Sequence, residues 1–242
     1  MHRLLADFPV LETERPALSR EALNHLKVLR PKDGEEVELF DGCGHTRVYR
    51  YESAAKGLGA PDRPVTHPRP SCGITLFACV TKGSRWDWTI EKATELGVTR
   101  IVPVISERTI VRISPDERAA KRERWARIAA DAARQSDAVW LPEIVAPTDF
   151  AGSLPLVRAT TCFIGALTNP PPPSILDALE AVRDESKTDV GIYVGPEGDF
   201  TPEELAALLA IATPVSFGPT VLRAETAAIF GVSVLAAFFR RR

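Results

Sequence analysis

Two short glycine-containing loops late in the chain carry the side chains best suited to chemistry. The first covers residues 194–200 and the second covers residues 217–226. Beside the second turn stand two charged side chains, Arg223 and Glu225. An arginine at such a place could stabilise a developing anion or hold a phosphate. A glutamate could accept a proton or orient the backbone. The alternative is that the two side chains form an ordinary salt bridge.

Each loop is predicted to connect a β-strand to a helix. Residues 191–194 form an apolar run, and Thr201-Pro202-Glu203-Glu204 then has the residue types of an N-cap, a first helical position and a capping box. A second strand is predicted to end at residues 215–217, and apolar residues recur at helical spacing between 225 and 239. Parallel strands end at one edge of a sheet, where open α/β sheets bind ligands, so both loops are expected at that edge.

The sequences of the two loops resemble the signature of the SPOUT methyltransferases. Gly-Pro-Glu-Gly at 195–198 and Phe-Gly-Pro-x-Val-Leu-Arg-x-Glu-Thr at 217–226 are most similar to the RsmE-type enzymes, which methylate N3 of a uridine in small-subunit ribosomal RNA. The chain departs from the usual pattern at Asp199, where the family has glycine, and at Thr220, where it has arginine. The resemblance implies S-adenosyl-L-methionine (SAM) as cofactor, and 16S rRNA or the small ribosomal subunit as partner.

The resemblance also implies a two-domain α/β fold. Residues 1–72 are expected to form a PUA-like small β-barrel that binds RNA, together with a turn-rich linker at 54–71. Alternating polar and apolar runs at 36–40 and 46–51, around a hairpin turn at 41–44, favour the barrel independently. A short helix is predicted between about Ser19 and Leu29, with Ser19 as its N-cap and with Leu23 and Leu26 facing inward. Residues 73–242 are expected to form a SPOUT methyltransferase domain, a parallel sheet with a trefoil knot. A homodimer is implied as well, with the C-terminal helix as an apolar face that could pair.

The pattern after residue 73 predicts alternating strands and helices. A strand at 74–80, a helix at 86–96 and a strand at 100–105 indicate a parallel crossover. A long helix is predicted from 115 to about 135, and a further strand at 160–167, which would bring Leu167 to the same edge as the glycine loops. Trp88 is interpreted as a packing residue, while the role of Trp86 is left open.

These placements define one candidate cofactor site, in which glycine backbone would read the adenine and apolar side chains would sandwich it. The candidate cofactor-binding residues are Leu167, Gly195, Glu197, Gly198, Phe217, Gly218, Val221, Leu222, Arg223 and Thr226. The candidate catalytic residues are Arg223 and Glu225, and Glu197 is an alternative proton acceptor. All four histidines lie at or before residue 67, which argues against a histidine base.

Charge is distributed unevenly along the chain. The formal net charge is −2, yet residues 82–134 hold twelve Lys or Arg against eight Asp or Glu. Such a local surplus beside a ligand edge suits a phosphate backbone, although a solvated helix face is the alternative. The candidate RNA-binding residues are Lys27, Arg30, Lys82, Arg85 and Arg108.

Several classes of protein are disfavoured. The four cysteines are scattered without metal-ligand spacing, so no metal site is expected. No apolar stretch has the length of a membrane span or signal peptide, and a cytoplasmic protein without a membrane partner is expected. Neither loop contains the Gly-Lys-Ser/Thr sequence of a phosphate-binding P-loop, and this argues against the hypothesis of a nucleoside-phosphate enzyme. The competing hypothesis is a noncatalytic RNA-binding protein with a degenerate methyltransferase-like domain.

Overall fold

The computed structural model describes residues 1–53, 56–157, 161–182 and 189–240. The chain divides into two units. One contains Met1–Arg69 and Ala130–Leu141, and the other contains Pro70–Ala129 and Pro142–Arg242. The segment Ala130–Leu141 therefore clusters with the first unit, whereas the sequence division at residue 72 had placed it with the second. Within the described ranges, no helix is both long and apolar enough to cross a membrane.

The first unit is a five-stranded sheet with one helix. Its elements are β1 (His2–Leu5), α1 (Arg20–Leu29), β2 (Glu36–Phe40), β3 (His45–Ser53), β4 (Gly57–Pro61) and β5 (Val65–Thr66). The strand order is β1-β2-β3-β4, and β5 pairs with β3. β1 runs parallel to β2, while β3 is antiparallel to its three partners. The predicted hairpin around residues 41–44 is confirmed.

Helix α1 begins as predicted, with the Ser19 hydroxyl accepting a hydrogen bond from the backbone N–H of Ala22 at 3.2 Å. It buries Ala22 and Leu26 against the sheet. Leu23 was expected to face inward and is 42% exposed, so that expectation is wrong. The reason is geometric, because the buried face follows positions 22 and 26, four residues apart, and position 23 lies about 100° around the helix.

The predicted linker at 54–71 is also wrong in part, because β4 and β5 lie within it; residues 54–55 lie outside the described ranges. Both strands pair with β3, β4 with register shifts. Only one of their apolar side chains, Leu58, is buried. Because these strands bury so few side chains, their sequences show no alternation of polar and apolar residues. Their pairing depends on β3, so it could not be predicted from their own residues.

Arg3 binds the segment Ala130–Leu141 to the first sheet. Its guanidinium donates to the backbone carbonyls of Ala133 at 2.9 Å and Ala138 at 3.0 Å, and to the Glu38 carboxylate at 2.6 Å. The side chain is 8% exposed and its charge lies 4.1 Å from the centre of the Phe40 ring. Satisfying the buried cation in this way fixes the segment to β1 and β2.

The second unit is a seven-stranded parallel sheet with helices. Its elements are β6 (Gly73–Cys79), α2 (Ser84–Glu95), β7 (Arg100–Ile105), a 3-10 turn (Pro115–Glu117) leading into α3 (Arg118–Gln135), β8 (Glu143–Ile144), β9 (Thr148–Asp149), α4 (Phe150–Ser153), a 3-10 turn (Leu154–Leu156), β10 (Thr161–Gly165), α5 (Ile175–Ala181), β11 (Asp189–Val194), α6 (Pro202–Leu209), β12 (Thr213–Val215) and α7 (Ala224–Phe239). The strand order is β12-β10-β11-β6-β7-β8, and β9 pairs with β7. The strand predicted at 160–167 is present as β10, with residue 160 outside the described ranges.

The central strands are buried on both faces, as expected for a parallel sheet covered by helices. In β6, Leu76 packs into one apolar cluster and Phe77 into the other. Phe77 stacks on Tyr193 of the neighbouring β11 with ring centroids 4.3 Å apart. Helix α7 packs on β6, β11 and α2. The carboxyl ends of these strands are therefore held on a rigid support.

Burial also sets the reactivity of the cysteines, which are all free thiols. Desolvation raises the pKa of Cys72 and Cys79 to about 11 and that of Cys162 to about 12. The thiolate is the reactive form. At pH 8 an aromatic disulfide reagent is therefore expected to modify the exposed Cys43 rapidly and the other three only in denaturant.

The same shifts predict a loss of stability in alkali. Because the folded pKa values are raised above the ordinary thiol value of 9.0, the unfolded chain releases these protons first. The free energy of unfolding should thus be unaffected below about pH 9 and fall as the pH rises toward 12. Unchanged denaturant midpoints between pH 8 and 11 would contradict this loss of stability. Rapid modification of more than one thiol in the native protein would contradict the expected protection of the three buried cysteines.

Candidate functional site

A cavity lies where three neighbouring strands end. β12, β10 and β11 are adjacent and parallel, so the segments that follow them leave the sheet at one edge. Between these segments is a cavity of about 310 Å³. Its lining residues are Gly165, Ala166, Leu167, Val194, Gly195, Pro196, Glu197, Asp199, Val215, Ser216, Phe217, Gly218, Thr220, Val221, Leu222, Arg223, Ala224 and Ala227. The expectation that both glycine loops and Leu167 share an edge is confirmed.

The first loop, residues 195–200, is a tight turn that its own backbone closes. The N–H of Asp199 donates to the carbonyl of Pro196 at 3.0 Å. Asp199 has φ of +59°, and its carboxylate accepts from the N–H of Phe200 at 2.8 Å. The left-handed conformation explains why glycine suits this position, and aspartate is one of the few other residues that tolerate it. The predicted capping box of α6 is confirmed, with Thr201 and Glu204 bonding reciprocally.

Residues after β7 hold this loop from outside the cavity. The Arg108 guanidinium donates to the carbonyl of Gly198 at 3.0 Å and to that of Phe200 at 3.4 Å. The N–H of Glu107 donates to the buried Glu204 carboxylate at 2.9 Å. Arg108, expected to contact RNA, is thus placed where it also fixes the loop.

The second loop depends on a close approach that sequence reading missed. Gly218 has φ of +120°, a value that favours glycine. The Phe217 ring packs on Gly165 at the end of β10, and a Cβ at position 165 would lie 2.6 Å from that ring. Gly165 therefore sets the position of one cavity wall. The available signal was a glycine at the carboxyl end of a strand already predicted to reach this edge.

The two candidate catalytic residues lie in different depressions. Arg223 lines the cavity and is exposed, and its side chain forms no hydrogen bond or ion pair with any residue in the described ranges. Glu225 lines a separate cleft of about 570 Å³, together with Thr226 and the first turns of α2. The alternative of a salt bridge between Arg223 and Glu225 is therefore not seen among the described residues.

Glu225 is 9% exposed, and its Oε2 atom is buried with no hydrogen-bond partner among the described residues. An ion pair links the two depressions, because Arg85 lines the cleft, Glu197 lines the cavity, and their side chains meet at 3.3 Å. Both are substantially exposed, so the pair contributes little to stability. Its effect is to engage Glu197, so that of these two glutamates it is Glu225 that has a buried oxygen, Oε2, without a partner among the described residues.

The other candidate residues lie in the cavity, in the second cleft or on the exposed surface. Eight of the ten candidate cofactor-binding residues line the cavity, and Gly198 and Thr226 do not. Gly198 faces Arg108, and Thr226 lines the second cleft. Lys82 is exposed after β6, and Lys27 and Arg30 are exposed at the end of α1 in the first unit. Trp88, interpreted as a packing residue, is 41% exposed and lines the second cleft, whereas Trp86 is 2% exposed and packs edge-on against Trp125.

The cavity suits a small organic ligand. Its volume lies at the lower end of the range for small-molecule sites. Leu167 is 64% and Val221 75% exposed, so a ligand between them would cover apolar surface that now faces solvent. Glycine backbone at both loops offers hydrogen-bonding groups. Among the residues that the structure describes, no group of three or more His, Cys, Asp or Glu is arranged to hold a metal ion.

Comparison with known proteins defines the class. The model of an RNA methyltransferase domain matches residues 68–236, and that of an RNA methyltransferase PUA domain matches residues 18–58. A Legionella pneumophila methyltransferase solved with bound SAM aligns with a TM-score of 0.85 and 29% identity, covering 97% of this chain and 96% of that one. The chain therefore has the fold of an RNA methyltransferase with an N-terminal PUA-like module.

Two further relatives specify the family. The ribosomal RNA small subunit methyltransferase E of a Synechocystis strain is 32% identical over 219 residues, covering 87% of this chain and 69% of the relative. The Neisseria gonorrhoeae protein of the same name, solved with S-adenosyl methionine, aligns with a TM-score of 0.82 and 28% identity, covering 98% and 97% of the two chains. The chain belongs to the ribosomal RNA small subunit methyltransferase E family.

Proposed function

We propose that this protein transfers a methyl group from SAM to N3 of a uridine in 16S rRNA of the small ribosomal subunit. The observation that carries the proposal is the cavity where β10, β11 and β12 end, in a chain of this family. The domain assignment follows: residues 1–72 as the PUA-like RNA-binding module and residues 73–242 as the methyltransferase domain. The trefoil knot is a further prediction of family membership.

The cavity residues suit the cofactor. Backbone groups at Gly195 and Gly218 would read the adenine, and Leu167 and Val221 would cover its faces. When bound, the cofactor supplies a methyl group on a positively charged sulfur, so the protein has mainly to position the acceptor and help remove its proton. In the transfer, a bond forms between uridine N3 and the methyl carbon, the carbon–sulfur bond breaks with its electrons going to sulfur, and the N3 proton leaves to a base.

The unpaired charges define the roles of the catalytic candidates. Arg223 has no partner in the described ranges, so it is available to stabilise the negative charge that develops on the uracil as N3 loses its proton. Glu225 is the better candidate for the base, because Glu197 is engaged by Arg85 and the Glu225 Oε2 atom is not engaged by any described residue. Both roles are supported by placement and by charge.

Lys27, Arg30, Lys82, Arg85 and Arg108 are proposed to contact RNA phosphates; all five are exposed cations. A homodimer in the cytoplasm is proposed as the working form. Support for the dimer comes from α7, a largely apolar helix on which Phe230 remains 36% exposed.

Two measurements test the function together. Purified protein should bind SAM in a calorimetric titration, and it should transfer a labelled methyl group to small subunits that lack the modification. Nuclease digestion and mass spectrometry should then identify 3-methyluridine. A methyl group on another atom or nucleoside would overturn the uridine N3 assignment alone. Absence of SAM binding, with or without subunits, would favour a noncatalytic RNA-binding protein.

A further inference from the structure

The cleft beside the cofactor cavity has no role in holding the cofactor as proposed above. It is formed by the first turns of α2 and α7, and its lining residues are Ser84, Arg85, Asp87, Trp88, Glu91, Glu225 and Thr226. The ion pair between Arg85 of the cleft and Glu197 of the cavity joins the two depressions. Thr226 and Glu225 follow Arg223 within three residues, so a group in the cleft lies next to the proposed methyl-transfer site.

Trp88 is the first distinctive feature of the cleft. Helix α2 buries Trp86, Thr89 and Ile90 in the core, whereas the indole of Trp88 is 41% exposed. Trp is seldom left this open without a partner, because its large apolar faces gain from being covered. A planar ring at a cleft wall is the usual platform on which proteins stack unpaired nucleobases.

Glu225 is the second feature. The cleft contains three carboxylates, and two are engaged: Asp87 accepts from Arg124 at 2.8 Å, and Glu91 accepts from Lys92 at 2.8 Å. Glu225 is only 9% exposed, and its Oε2 atom has no partner in the described ranges. A buried acceptor without a donor is costly, so the cleft is suited to a ligand that brings an N–H group.

We propose that this cleft receives the target uracil base, stacked on Trp88 with its imide N–H directed to the Glu225 carboxylate. The inference rests on the proposed function and adds the base subsite and its selectivity. Uracil carries a hydrogen at N3, which a carboxylate can accept. Cytosine carries a lone pair at N3, which a carboxylate repels. The cleft therefore selects uridine over cytidine by the same atom that is to be methylated.

Trp88→Ala tests the stacking role in the full-length protein. The KM for unmodified small subunits is expected to rise about 5- to 150-fold, the range for losing one base–aromatic stack. The calorimetric Kd for SAM should stay near wild type, because Trp88 does not line the cofactor cavity. Trp88→Phe, which retains a ring, should restore most of the KM. Leu176→Ala removes an apolar side chain that is 59% exposed on α5 and lines neither depression, so it serves as the matched control.

A second measurement needs neither cofactor nor turnover. Uridine 5′-monophosphate should quench tryptophan fluorescence more than cytidine 5′-monophosphate does, and Trp88→Phe should abolish the difference in quenching. Glu225→Gln, which replaces an acceptor oxygen with an amide donor, should reduce the preference for uridine. Unchanged KM in Trp88→Ala, or equal quenching by the two nucleotides in wild type, would overturn the subsite. If wild type neither binds SAM nor transfers methyl groups, the proposed function fails, and nucleotide quenching still decides whether the cleft binds uracil.

Discussion

Gly195→Val is expected to weaken SAM binding at least about a hundredfold, equivalent to about 2.7 kcal/mol of binding free energy. Gly195 lines the cavity at the end of β11. A Cβ at this position would lie 3.1 Å from the Phe200 ring and 3.4 Å from the Asp199 carboxylate, and valine adds two further methyl groups. The loop must shift or the cavity must shrink, and either change would remove the backbone approach proposed for the adenine. Calorimetric titration measures the loss directly.

Gly198→Ala is the matched control within the same loop. Gly198 lies outside the cavity lining, and a Cβ there would lie 3.5 Å from the Arg108 Cβ, an ordinary contact. Near-normal SAM binding is therefore expected for this variant. Full affinity in Gly195→Val would mean that the cofactor binds elsewhere. Equal losses in both variants would mean that the loop tolerates no side chain at all and would remove the distinction drawn between the two glycines.

The loops and the strands that carry them could be predicted because their determinants are local. Thr201 and Glu204 form a capping box within one helical turn, and Gly218 adopts a positive φ that its own residue type permits. A parallel sheet then brings successive strand ends to one edge without further information. Eight of ten candidate cofactor-binding residues line the cavity for this reason.

The features that were missed depend on residues far apart in the chain. Gly165 matters because the Phe217 ring occupies the space where its Cβ would be. β4 forms because it pairs with β3, and Leu58 is its only buried apolar side chain. Trp86 and Trp88 are two residues apart and equally apolar, and the position of α2 against the sheet decides which one is buried. None of these contacts leaves a periodic signal in a single sequence.

The separation of Arg223 from Glu225 also could not be predicted from the sequence. The two side chains stand two residues apart at the start of α7, and a salt bridge was a reasonable alternative. The turn into the helix instead places Arg223 at the cavity and Glu225 at the cleft. Because neither side chain is engaged by another described residue, the arginine and the carboxylate on either side of this helix N-terminus are better suited to act on a ligand than on each other.

Arg223→Ala is accordingly expected to lower the turnover number for methyl transfer about 10²- to 10³-fold, the loss typical of removing one donor that stabilises developing negative charge. The free energy of unfolding should change by no more than about 0.5 kcal/mol, because the exposed side chain forms no helix cap and has no partner in the described ranges. Single-turnover kinetics with unmodified small subunits and denaturant melts measure the two quantities.

Arg223→Lys separates the possible roles of this residue. Lysine keeps the positive charge but loses the planar fork, so partial activity indicates that charge alone supports the transfer, while activity as low as in the alanine variant indicates that bidentate geometry is needed. The Kd for SAM should stay within a few fold of wild type in both variants if Arg223 acts on the uracil. A large rise in that Kd would instead assign the side chain to holding the cofactor. Near-normal turnover in Arg223→Ala would remove it from the mechanism, and Glu225 would then have to promote loss of the N3 proton without a neighbouring cation.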